Sequence, residues 1–223
     1  MNKRWTTYNK NMENLEEIMD EFQASELIAR AMINRGVDTV QKARVFLNAD
    51  LGFLHDSYLL KGMDKAVEII LNAVKRKDKI CVYGDYDVDG ITSTAVMIRA
   101  LGKLGADAVY YIPNRIEEGY GLNIGSMDKI KELGVSLVIT VDCGIRSNEV
   151  IEYARSLGME VIVTDHHECE GELPNALSIV NPHQYDCSYP NKGLAGVGVA
   201  YKLISALLER AGYGNSSEEF LDI

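Results

Sequence analysis

The 223-residue sequence predicts an α/β fold: a mostly parallel sheet with helices on both faces, preceded by an N-terminal helical segment. Three observations carry this. The pattern changes near residue 78, from helical periodicity to short apolar runs. From there the runs alternate with helical stretches, the order that gives a parallel sheet. And several of the runs end in Asp, Gly or His. The expected domains are a helical segment over 1–77 and a sheet domain over 78–223.

Before residue 78, Ser25 is positioned to cap a helix starting at Glu26 and ending near Gly36. A second helix fits Val40 to Asn48, and a third Asp64 to Lys75, with Ala66, Ile69, Ile70 and Ala73 on one stripe. After it, strands are expected at Ile80–Tyr83, Ala108–Ile112, Leu137–Val141 and Val161–Thr164, with a further short one at Ser178–Val180. Helices are expected over Thr92–Leu104, Ile124–Leu133, Ser147–Leu157 and Val199–Ala211.

An apolar fraction of 47% suits a globular core. No apolar stretch is long enough to span a bilayer, and no signal peptide is visible. The four cysteines are scattered without C-x-x-C spacing, so neither a zinc site nor a redox motif is indicated, and a reducing cytoplasm is the simplest compartment. A net charge of −10 argues against a generally basic nucleic-acid binder. It does not argue against carboxylates gathered to bind cations beside a local basic channel.

Ligands of open α/β sheets bind beyond the carboxyl ends of the strands. The first strand is followed by Gly84-Asp85-Tyr86-Asp87-Val88-Asp89-Gly90, the third by Asp142-Cys143-Gly144 and the fourth by Asp165-His166-His167. Each cluster alone also reads as a turn or a solvated loop. Together, at equivalent sheet positions, they converge on one edge. Two carboxylates about 4 Å apart repel by roughly 4 kcal/mol at an effective dielectric near 20, so several of them gathered together call for cations. Oxygen ligands with one or two imidazoles suit two Mn²⁺ or Mg²⁺ ions, the pair used in phosphoryl displacement.

These residues resemble the motifs of the DHH phosphoesterases. Asp165-His166-His167 is similar to the triplet that names the family, Asp87-Val88-Asp89-Gly90 to its first motif, and Asp142-Cys143-Gly144 to its second. The likeness to the RecJ-like exonucleases within that family covers nearly the whole chain. It includes Asn34-Arg35-Gly36, Tyr83 to Ser93, Ile112-Pro113-Asn114-Arg115, Glu118-Gly119-Tyr120-Gly121-Leu122, Asn181-Pro182 and Leu194 to Ala200. The resemblance implies a metal-dependent exonuclease that degrades single-stranded DNA from the 5′ end in recombination and repair. Its partners would be single-stranded DNA and repair or replication proteins such as a helicase or single-strand-binding protein. Carried over, Asp85, Asp87, Asp89, Asp142 and His166 would bind two Mn²⁺ or Mg²⁺ ions, and Asp142 would bridge them. Asp142, His166 and His167 would be catalytic, with His167 on metal or scissile phosphate. Tyr83 departs from the family, many of whose members carry a histidine there. The resemblance also implies a fourth-motif aspartate just past Ile223 and a further domain beyond it. The chain is therefore expected to be a shortened one, with incomplete metal binding and little activity.

Arg115 follows the second strand and could grip a phosphate or pair with Glu117 or Glu118. Tyr120, between two glycines, could stack on a base or fill the loop's interior. Gly196-Val197-Gly198 could offer amides to a phosphate, but close backbone packing fits it better. Lys75-Arg76-Lys77 reads as a solvated helix end, and His55 and His183 as structural. Three rival readings remain. In a haloacid-dehalogenase-type phosphatase Asp87 would be a covalent nucleophile and Asp89 a general acid, leaving the Asp-His-His triplet without a task. A DHH enzyme could act on oligonucleotides, cyclic dinucleotides or pyrophosphate. A replication scaffold could keep the fold without catalysis.

Overall fold

The computed structural model describes residues 12–48, 51–214 and 216–223. The chain divides into two compact units, Met1–Leu54 and His55–Ile223. In the first, helices α1 (Leu15–Phe22), α2 (Glu26–Asn34) and α3 (Val40–Asn48) gather Ile18, Ala29, Met32, Ile33 and Ala43 into a small core. Ser25 caps α2 as expected, accepting a hydrogen bond from the Ile28 amide. Helix α1 has no counterpart in the sequence reading.

The second unit runs α4 (Met63–Arg76), β1 (Lys79–Tyr83), α5 (Val88–Lys103), β2 (Asp107–Tyr111), α6 (Ile124–Glu132), β3 (Leu137–Val141), α7 (Asn148–Ser156), β4 (Glu160–Thr164), β5 (Ser178–Val180) and α8 (Gly196–Arg210). All strand pairs are parallel, in the order β2-β1-β3-β4-β5. Period-2 alternation splits the strands between two cores. Ile80, Val82, Ile139 and Ile162 pack with α4, α5 and α8, while Cys81, Tyr83, Val138, Val161 and Val163 pack with α6 and α7. The α/β class with helices on both faces is thus as the sequence predicts. The division of the chain is not at residues 77 and 78. Helix α4 buries Ala66, Val67, Ile70 and Ala73 in the core that covers the sheet, so the unit starts at His55.

Two helices begin earlier than the sequence suggests, and both differences shape the site. Asp87 caps α5 by accepting a hydrogen bond from the Gly90 amide at 3.0 Å, which starts that helix at Val88 rather than Thr92. Helix α8 starts at Gly196 rather than Val199. The chain leaves β1 for β2 through α5 on one face. It returns to β3 through α6 on the other, so the sheet has its switch point between β1 and β3, where such sheets hold ligands. Among the described residues no helix is long and apolar enough to cross a membrane.

Candidate active site

The carboxyl ends of β1, β3 and β4, three adjacent strands, carry the Asp and His clusters. At the end of β1, Asp85 is fully buried; Oδ1 accepts a hydrogen bond from the Tyr86 amide, and Oδ2 has no partner. Burial and the charge of Asp87 push its pKa up. Two residues beyond the Asp87 cap, Asp89 lies in the first turn of α5. Its carboxylate reaches across to α8, accepting from the Gly196 amide at 2.6 Å and the Val197 amide at 2.7 Å. Negative charge at a helix N-terminus is favoured by the exposed amides and the helix dipole.

At the end of β3, Asp142 adopts a left-handed backbone (φ 61°) and is 3% exposed. Such a conformation in a non-glycine residue costs on the order of 1–2 kcal/mol and recurs at functional positions. Asp142 Oδ1 lies 3.1 Å from His166 Nε2, without the alignment of a hydrogen bond, and has no other partner. The same Nε2 lies 3.6 Å from Asp89 Oδ2. Burial, then Asp89 and Asp87, push the Asp142 carboxyl up to about 8. Gly196 packs directly on this carboxylate: a Cβ there would fall 2.4 Å from Asp142 Oδ1.

At the end of β4, Asp165 is as buried as Asp142 but fully engaged. Oδ2 accepts from the Ile145 amide at 2.9 Å. Oδ1 accepts from the His166 and His167 amides at 2.7 and 3.1 Å and lies 2.7 Å from His167 Nδ1. Burial raises its pKa, but these bonds outweigh burial and leave it lowered, while Asp165 raises His167. With Nδ1 carrying the proton towards Asp165, His167 Nε2 is left as an acceptor, 3.2 Å from the Tyr120 hydroxyl.

The structure brings one donor atom each of Asp142, His166 and His167 within 4.8 Å of one another, with Asp89 against His166. Asp85 and Asp87 border this cluster through their charges rather than through a direct contact. Arg115 is exposed and pairs with neither Glu117 nor Glu118; its guanidinium lies over the Tyr86 ring, 5.3 Å from the centroid. Tyr120 is 58% exposed and stands edge-on between Tyr86 and His167, so it does not fill the loop's interior. Tyr83 is buried, and its hydroxyl donates to the Gly121 carbonyl at 3.0 Å. The Gly196-Val197 amides serve an anion after all, but the anion is Asp89, and Gly196 packs closely as expected.

Two roles escaped the sequence reading. Asp165 orients His167, and the only hint was its place at the head of the triplet. The first turn of α8 holds Asp89, a contact across 107 residues that no local pattern signals. Two clefts flank the histidines. One of about 310 Å³ is lined by Tyr120, Leu122, Arg146, Ser147 and His167, and an open one of about 540 Å³ by His166, His183, Lys192 and Leu194.

The site's likeness to known proteins is extensive. The DHH family, N-terminal domain, matches residues 79–223. The single-stranded-DNA-specific exonuclease RecJ of Bacillus subtilis (strain 168) is 43% identical over 220 residues, 99% of this chain and 27% of that protein. RecJ of Escherichia coli (strain K12) is 44% identical over 182 residues, 81% of this chain and 31% of that protein. The chain therefore spans less than a third of the length of these relatives. Among solved structures, exonuclease RecJ bound to manganese is similar with a TM-score of 0.64 and 40% identity, covering 69% of this chain and 39% of that one. RecJ in complex with Mn²⁺ from Thermus thermophilus has a TM-score of 0.70 and 32% identity, covering 92% of this chain and 28% of that one. With its strand-end motifs inside the matched region and that region most of its length, the chain belongs to the DHH family.

Proposed function

We propose that this chain forms the metal-binding catalytic centre of a RecJ-like exonuclease that hydrolyses single-stranded DNA from the 5′ end in recombination and repair. The observation that carries the reading is the unsatisfied Asp142 Oδ1. A buried carboxylate oxygen without a hydrogen bond is costly, and here it faces an imidazole nitrogen at 3.1 Å, misaligned for a hydrogen bond. Two donor atoms turned towards a common point fit a cation better than they fit each other, and the unpartnered Asp85 Oδ2 adds a second such oxygen. The residues that would hold two Mn²⁺ or Mg²⁺ ions are Asp85, Asp87, Asp89, Asp142 and His166. Bound there, the ions would supply Lewis-acid stabilisation of a phosphodiester undergoing hydrolysis and acidify the attacking water.

The chain's own groups do the rest. Asp165 fixes the His167 ring, so that Nε2 can accept a proton or, once protonated, hold a phosphate oxygen. Arg115 offers a guanidinium to the strand's phosphates, and Tyr120 and Tyr86 offer ring faces to its bases. Arg146 lines one cleft, paired with Glu170, and Lys192 lines the other, held by the Pro182 and Cys187 carbonyls, so each cleft wall carries one fixed cation. Clefts open on both sides of the histidines favour a polymer over a dinucleotide or pyrophosphate. Asp89 accepts from two amides at the start of α8, which favours its ionised form over the protonated acid that a dehalogenase-type phosphatase would require, and leaves lone pairs for a cation. The replication or repair proteins that would deliver the strand, a helicase or single-strand-binding protein, belong to this reading as partners.

The test is a nuclease assay on the full-length protein with Mn²⁺. A 5′-labelled single strand is expected to release labelled mononucleotide, and Asp142→Ala to abolish release. Preference for a dinucleotide over the strand, or a trapped phospho-aspartate, would defeat the reading.

A further inference from the structure

Between β2 and α6 the chain crosses the site's rim as a loop, residues 112–123, that carries both Arg115 and Tyr120. Glu118 lies at its centre, and both of its carboxylate oxygens are used. Oε1 accepts from the Tyr111 hydroxyl at 2.5 Å and from Lys129 Nζ at 2.8 Å; Oε2 accepts from the Asn114 amide at 2.8 Å. The three donors come from the end of β2, the start of the loop and the middle of α6. The Glu118 amide closes back on the Asn114 carbonyl at 2.8 Å, so the first half of the loop is a ring of hydrogen bonds. Lys129 also sits over the Tyr111 ring, 5.8 Å from its centroid. An isolated surface ion pair contributes little. This carboxylate differs in being mostly shielded and in drawing three separate segments together.

The second half of the loop is held from below. Tyr83 stacks on Tyr111 (centroids 5.4 Å apart, planes 20° from parallel) and donates its hydroxyl to the Gly121 carbonyl. That same hydroxyl lies within 3.3 Å of Ser126 Oγ and 3.4 Å of Asn123 Nδ2 at the start of α6. Tyr120 sits between Gly119 and Gly121, both with left-handed backbones (φ 77° and 76°) that a side chain would strain, so its ring is thrown outward to meet His167. Glu118 and Tyr83 thus grip the loop on either side of Tyr120, with Tyr111 touching both.

We propose that Glu118, with Tyr111, Lys129 and Tyr83, is a positioning clamp that holds Arg115 and Tyr120 in place for the nucleic-acid strand before it arrives. The inference rests on the reading of the site as one that cleaves single strands. None of the four residues touches the carboxylate cluster or would touch a reacting atom. Their contribution is to pre-organise the loop, which removes from binding the cost of ordering it. Releasing the loop should therefore weaken engagement of the strand and leave both the metal centre and the chemical step alone.

Glu118→Gln and Tyr83→Phe in the full-length protein test this. Each is assayed for KM and kcat on a single-stranded oligonucleotide, for strand binding by fluorescence anisotropy, and for Mn²⁺ affinity by calorimetry. KM and the strand dissociation constant should rise about tenfold in Glu118→Gln, with kcat changed less than about twofold and Mn²⁺ affinity unchanged. Adding Lys129→Met to Glu118→Gln should cause little further loss, because the two share one interaction. Tyr83→Phe, which deletes one hydroxyl, should show the same KM-only effect and decides the matter if Glu118→Gln does not fold. Loss of kcat at constant KM, a parallel loss of Mn²⁺ affinity, or unchanged KM in both variants overturns the clamp. A wild-type protein that neither binds nor cleaves single strands overturns the functional reading first, and the clamp with it.

Discussion

Asp142 and Asp165 end neighbouring strands one residue past the paired positions Val141 and Thr164, and they meet opposite fates. Both are almost wholly buried, at 3% and 1% exposure. Asp165 is surrounded by donors on both oxygens and is held below the ordinary carboxylate range. Asp142 has an oxygen with no hydrogen bond, two acidic neighbours and a carboxyl pushed up to about 8. Burial is common to the two, so burial does not set the difference; the supply of donors does. The β4 end is built as a finished hydrogen-bonded support for His167. The β3 end is left incomplete, strained in its backbone and short of positive charge, and a divalent cation would complete it.

The largest effect should come from neutralising the incomplete side. Asp142→Asn is expected to lower nuclease activity on the order of 10³-fold or more and to remove Mn²⁺ binding by calorimetry. The same change should relieve the metal-free protein. A carboxyl whose folded pKa is raised contributes stability below its usual 3.8 and loses it as pH climbs towards 8. Wild-type Tm without metal should therefore fall between pH 4 and pH 8, and Asp142→Asn should flatten that slope. Mn²⁺ should raise the wild-type Tm more at about pH 8 than at about pH 5. A variant that keeps Mn²⁺ binding, or a flat wild-type profile, would erase the contrast between the two aspartates.

Asp165→Asn sharpens the contrast from the finished side. The amide nitrogen would confront the Ile145 or His167 N–H groups, donor against donor, at a cost of about 1–3 kcal/mol. Loss of the group that orients His167 should lower activity about 10–100-fold with Mn²⁺ still bound. The pH signature is opposite in sign. A lowered carboxyl contributes stability above its usual 3.8 that is lost as pH falls below it, so the variant should lose part of the wild-type acid-limb slope. The His167 pKa, raised mainly by its bond to Asp165, should drop when followed by NMR. An unchanged histidine titration would remove Asp165 from its orienting role.

The smallest effect should come from the contact between α8 and the β3 end. Gly196→Ala places a methyl 2.4 Å from Asp142 Oδ1, so either the carboxylate or the first turn of α8 must shift. A loss of about 1–3 kcal/mol in stability is expected, with Mn²⁺ affinity reduced about tenfold. Unaltered affinity would mean that the Asp142 position does not depend on α8.

Much of this is legible in the chain. Alternation in Ile80-Cys81-Val82-Tyr83 and Val161-Ile162-Val163-Thr164 is a local property, and so is the placing of Asp or His just after the first, third and fourth strands. Asp142, His166 and His167 can be gathered on paper because parallel strands bring their carboxyl ends to one edge. The start of α5 is not legible, because Asp87, Val88 and Asp89 look like loop. The Asp87 cap turns them into a first helical turn and aims Asp89 across the site. The domain division is misplaced in the sequence because the stripe on α4 shows that the helix is amphipathic, not which core it faces.

The sequence by itself determined the strands, their apolar faces and the gathering of acids and imidazoles at one edge, since each follows from residues adjacent in the chain. Only the tertiary structure decided which carboxylate oxygens are satisfied. Asp89 is held by amides 107 and 108 residues away, and Asp165 by an amide 20 residues away, while Asp142 faces a glycine and a histidine that cannot donate to it in line. A hydrogen bond requires a donor within about 3 Å at a favourable angle, and such distances between remote segments are fixed by packing, not by pattern.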